Sequence, residues 1–92
     1  MIIVDDYKIE WQYSRYEDDE LFDLMTRCLI YDKNGKLLAS GAAIKSKDDR
    51  HEKDTARKIS LTRALRDYSF VYSTNILSKE FRTKVWKAYF AR

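Results

Sequence analysis

The hydrophobic residues of this 92-residue chain change their spacing once, near Ser46, and that change limits the folds open to it. Upstream, Tyr7, Ile9, Trp11 and Tyr13 alternate with Lys8, Glu10, Gln12 and Ser14. Alternation of period two sends one set of side chains to each face of a half-buried strand. The acidic run Glu17-Asp18-Asp19-Glu20 predicts a turn, because adjacent carboxylates repel and gain nothing from burial. A second strand is expected from about Leu21 to Tyr31, with Phe22, Leu24, Cys28 and Ile30 on its inward face. Asp32-Lys33-Asn34-Gly35 is the clearest local signal: Asn and Gly tolerate positive φ and Asp closes an Asx-turn, so a hairpin loop belongs here. A third strand, Lys36 to about Lys45, is rich in small residues (Ala39, Ser40, Gly41, Ala42, Ala43), which predicts a helix packed closely over it.

Downstream of Ser46 the period becomes helical. Asp49-Arg50-His51-Glu52 has capping-box spacing, with Asp in the place of Ser or Thr. The helix that follows is expected to reach about Tyr68, with Leu61, Ala64, Leu65 and Tyr68 as one apolar stripe. Phe70, Val71 and Tyr72 read as a short connection, and Ser78 as the cap of a last helix. Phe81, Val85, Ala88 and Tyr89 form its buried stripe, with Trp86 and Phe90 beside it. The expected fold is therefore α+β: a three-stranded antiparallel β-meander followed by two α-helices on one face, β-β-β-α-α, in a single domain spanning 1–92.

With no proline and two glycines, the chain has no place for a flexible linker, and no internal repeat is visible. Aromatic residues at 14% argue against disorder of the whole chain. Met1-Ile2-Ile3-Val4 leads straight into Asp5-Asp6, which lacks the basic region and the apolar length of a signal peptide. No stretch approaches the roughly 20 apolar residues that span a bilayer. A cytoplasmic protein with no membrane partner is expected, with Cys28 a free thiol.

The residues offer little chemistry. One histidine, His51, and one cysteine, Cys28, cannot build a metal site. As a nucleophile–base pair they are disfavoured, because Cys28 lies on the apolar face of a strand, where cysteines are inert. Two isolated glycines make no phosphate loop, and the acidic run lacks the turn glycine of a calcium loop. The chain is read as non-enzymatic, with no cofactor and no metal.

Charge is the remaining guide. The formal net charge is +3, but residues 1–46 carry nine acids and six bases, and residues 47–92 carry six acids and twelve bases. In the first helix, Arg57 falls in the core stripe with Leu61, Ala64 and Tyr68, so it either meets a carboxylate or a ring, or reaches past the sheet edge as a contact. Ile59, Arg63 and Arg66 lie on the opposite, solvent-facing side.

Arg57-Lys58-Ile59 and Arg63-Ala64-Leu65, with Trp86 in the last helix, resemble a family of small bacteriophage proteins of unassigned activity. In that family a β-meander is followed by a helix reading Gly-Arg-Lys-Ile-Ala-x-x-Arg-Ala-Leu. The similarity covers about residues 36–90, with Ala56 in place of the glycine. It implies a phage origin and a host protein as partner, bound so as to modulate or inhibit it. The contacts expected are Ile59, Arg63 and Arg66, together with Glu17, Asp18 and Asp19 of the acidic run.

Lys53-Asp54-Thr55-Ala56-Arg57 is also similar to the helix start of double-stranded-RNA-binding domains, where three strands precede a Lys-Lys-x-Ala-Lys signature. Asp54 replaces the second lysine, and that fold's leading helix has no counterpart. This similarity implies the alternative partner, nucleic acid, held by Lys45, Lys47, Arg50, Lys53 and Arg57. The wide apolar face of the last helix adds a homodimer as a further state.

Overall fold

The computed structural model describes residues 1–18, 21–46, 53–71 and 79–91. Its elements run β1 (Ile2–Val4), β2 (Tyr7–Asp18), β3 (Leu21–Tyr31), β4 (Leu37–Ser46), α1 (Lys53–Val71) and α2 (Lys79–Phe90). The sheet is antiparallel with strand order β1-β2-β3-β4.

The expected three-stranded meander is thus corrected to four strands. The additional strand, β1, pairs Ile2 with Ile9 and Val4 with Tyr7, closing a two-residue turn at Asp5-Asp6. Both aspartates take positive φ, 50° and 71°, the backbone of a type I′ hairpin. That turn is usually announced by Asn-Gly or Asp-Gly, so the Asp-Asp pair gave no warning. Aspartate is among the side chains that tolerate this region. Lys84 on α2 also grips the turn, its Nζ lying 3.0 Å from Asp5 Oδ2. With Ile2 and Val4 buried and Ile3 65% exposed, β1 alternates as a half-buried strand should.

Two boundaries also differ. Glu17 and Asp18 continue β2 instead of forming a turn, pairing with Phe22 and Leu21. α1 runs past Tyr68 and takes in Phe70 and Val71, because no glycine or proline interrupts Arg66–Val71. The caps expected at Asp49–Glu52 and Ser78 lie outside the described residues.

The hairpin at Asp32–Lys36 forms as its sequence predicts. Asp32 Oδ1 accepts the backbone N–H groups of Asn34 and Lys36, each at 2.9 Å, and Gly35 takes φ 84°.

Both helices pack on one face of the sheet. α1 lies over β3 and β4, and α2 meets β1. Between them and the sheet sit Ile2, Val4, Ile9, Cys28, Ile30, Ala39, Leu61, Ala64, Leu65, Phe81, Val85 and Tyr89. Edge-to-face rings join α2 to β2: Tyr7 with Phe81 at 5.3 Å and Trp11 with Tyr89 at 5.7 Å. The small residues of β4 meet α1 as expected. A Cβ placed on Gly41 would stand 2.5 Å from the Ser60 carbonyl oxygen and 2.7 Å from the Arg63 carbonyl carbon, far inside contact distance. The helix backbone lies directly on the strand.

Candidate functional site

Arg57 is turned inward as a strut between α1 and β2. Its Nε donates to the Tyr13 hydroxyl at 2.8 Å. Its carbonyl oxygen accepts from Trp11 Nε1 at 3.3 Å and from Ser60 Oγ at 3.0 Å. A half-buried guanidinium this close to the core stripe needs a polar partner, and a tyrosine hydroxyl supplies it without a second charge. Among the other bases of the alternative nucleic-acid site, Lys47 and Arg50 lie outside the described residues. Lys45 closes toward the end of β4 and Lys53 opens α1, but only their backbone positions are described.

Arg63 is exposed, as expected, yet its guanidinium is engaged. Nη1 donates to the Ala42 carbonyl oxygen at 2.6 Å, and one helical turn later Asp67 Oδ2 accepts the Ser40 N–H at 3.1 Å. In an antiparallel sheet, alternate residues of an edge strand point both backbone polar groups outward. Ser40 and Ala42 belong to that outward set in β4, and α1 lays a cation and a carboxylate along it. Unpaired strand edges invite pairing with another chain, and here two α1 side chains occupy this one.

The same contacts fix the direction of α1 along β4. Arg63 stands at Ala42 and Asp67 at Ser40, so four helix residues, about 6 Å, match two strand residues, about 6.6 Å. One turn before Arg63 is Ile59, which this spacing brings level with Ile44 along the strand, while the Ile44 side chain points to the sheet face away from α1, out of phase with Gly41 and Ala43. Ile59 is 40% exposed and Ile44 63% exposed. Ile44 shares the outward backbone set of Ser40 and Ala42, and among the described residues no α1 side chain bonds to it. Arg66 is exposed on the same helix. The α1–β4 edge therefore carries one exposed isoleucine on the helix and one on the far face of the strand, beyond the positions that Arg63 and Asp67 bond.

Three of the expected protein contacts, Ile59, Arg63 and Arg66, lie on this helix. Glu17 and Asp18 do not join them: they sit two strands away, beyond the last β3–β4 pair at Asp23 and Ser46. Asp19 lies outside the described residues. The sequence reading missed Ile44 and Asp67. Ile44 had a signal, as the one bulky residue after Ala39-Ser40-Gly41-Ala42-Ala43 and out of phase with buried Ala43.

Cys28 is fully buried at the centre of the sheet, opposite Trp11 and Gly41. Burial pushes its thiol up to about 12, so the thiolate that nucleophilic chemistry needs does not form near neutral pH. His51 lies outside the described residues. Among the described residues no group of three or more His, Cys, Asp or Glu side chains is placed to hold a metal ion. Among the described residues no helix is long and apolar enough to cross a membrane. No protein-family model matches the chain, and no curated protein or solved structure matches it either.

Proposed function

We propose that this chain is a binding module that engages a protein partner along the rim between α1 and β4. The observation that carries the reading is the exposure of Ile59 on α1 and Ile44 on β4, at an edge whose Ala42 carbonyl and Ser40 N–H are already taken by Arg63 and Asp67. An exposed strand end with apolar side chains on both flanks suits a partner that adds an extended segment to β4 and buries the two isoleucines. Arg66 supplies a charge at the border of that contact, where charges set specificity and association rate more than affinity. The resemblance to small phage proteins supports a host protein as that partner, whose activity the bound module would modulate or inhibit.

Affinity capture from nuclease-treated bacterial lysate tests this, with the native chain compared against Ile44→Lys/Ile59→Lys. Both positions are exposed, so circular dichroism should show an unchanged fold. A protein recovered by the native chain and lost with the double variant supports the rim. Equal recovery by both, or no recovery, removes it.

A further inference from the structure

A second surface lies on α2, away from the rim. Lys79, Arg82, Thr83, Trp86, Lys87 and Phe90 line one shallow depression along the helix. Their spacing places them on a single stripe, and the stripe holds three cations and no acid. The Trp86 and Phe90 rings are stacked, with centroids 5.9 Å apart and planes inclined by 26°. Phe90 is 65% exposed. Lys58 of α1 leans over the Phe90 ring at 5.4 Å from its centroid, while its Nζ pairs with Asp54 at 2.9 Å.

Cations in a row with a solvent-facing aromatic stack match one ligand chemistry closely: phosphates on a strand whose bases are unstacked. We propose that the outer face of α2 binds single-stranded nucleic acid, with Lys79 and Lys87 on the phosphates and a base stacked on Phe90. Lys58 sits on a long flexible stem and can move from the ring to a phosphate as the base arrives. A duplex hides its base faces and would leave Phe90 in water. A lipid surface needs a wide apolar helix face, and the wide face of α2 (Phe81, Val85, Tyr89) is already buried in the core. An acidic peptide would use the cations and ignore the ring.

Fluorescence anisotropy of a labelled oligothymidylate tests the proposal at rising salt, beside a duplex of equal length and vesicles containing phosphatidylserine. The expected result is binding to the single strand in preference to the duplex, weakened roughly tenfold by Phe90→Ala. Lys79→Glu/Lys87→Glu should lower the slope of log affinity against log salt by about 1.4, about 0.7 for each phosphate contact removed. Phe90 and both lysines are exposed, so circular dichroism of these variants should show the native fold. No binding at low salt, equal affinity for duplex with no effect of Phe90→Ala, or binding to vesicles alone would each overturn it.

Discussion

Ala64 passes so close to Gly41 that the backbone of α1 occupies the space where a side chain of β4 would begin. That contact sets the height of the helix above the sheet. It also brings Arg63 and Asp67, the residues on either side of the contact, within reach of the strand edge.

Gly41→Ala should therefore be severe. The added methyl meets helix backbone, which cannot rotate away as a side chain would. A loss of about 3 kcal/mol is expected, at the upper end for overpacking, against a total stability of roughly 5 kcal/mol for so small a domain. Gly35→Ala makes the contrast, since nothing lies within 4 Å and only its φ of 84° is strained. It should cost about 1 kcal/mol. Urea denaturation of the two variants separates the effects.

Arg63→Ala exposes the Ala42 carbonyl at the sheet edge. The bond is at the surface, so stability should fall by only about 1 kcal/mol. The larger effect should be on association, since an uncapped edge favours strand pairing between molecules. Light scattering at rising concentration should show self-association for Arg63→Ala and none for Arg66→Ala, whose stability should stay within about 0.5 kcal/mol of native.

The Arg57–Tyr13 bond is the polar link between α1 and β2 read from side chain to side chain. Tyr13→Phe should cost about 0.5 kcal/mol and Arg57→Ala about 1 kcal/mol, the latter also losing the packing of its stem. A double-mutant cycle in urea should return a coupling of about 0.5 kcal/mol. Additive effects would mean that the hydroxyl and the guanidinium do not interact in solution.

Cys28 makes stability depend on alkaline pH. Burial pushes its folded thiol up to about 12, above the ordinary value of 9.0, so the unfolded chain loses this proton first. Between those values the folded state holds more protons than the unfolded one, and stability must fall as pH rises. The slope should approach about 1.4 kcal/mol per pH unit for this group, and the stability is fully present below about pH 9. Cys28→Ala should remove that component of the slope. In native protein at pH 7, thiol reagents should react at the rate of unfolding.

Local chemistry was readable where neighbours in the chain decide it. Asp32-Lys33-Asn34-Gly35 closes its hairpin with its own side chain, and the apolar stripe of α2 buries Phe81, Val85 and Tyr89 as its spacing demands. The small residues of β4 announced a close helix because only such residues admit one. β1 escaped, since three residues are too few to show a period and Asp-Asp is an uncommon turn pair.

Spacing along the chain already placed Ile59, Arg63 and Arg66 on the outer side of α1, because 3.6 residues per turn allows nothing else. It also determined that Cys28 faces inward. What the arginines of α1 bond to was set by the packing of α1 on the sheet. Arg57 and Arg63 each find a partner more than 20 residues away, on β2 and β4. Helical spacing places a side chain on a face but does not say which strand that face meets. The height set by Gly41 and the direction of α1 along β4 settle that.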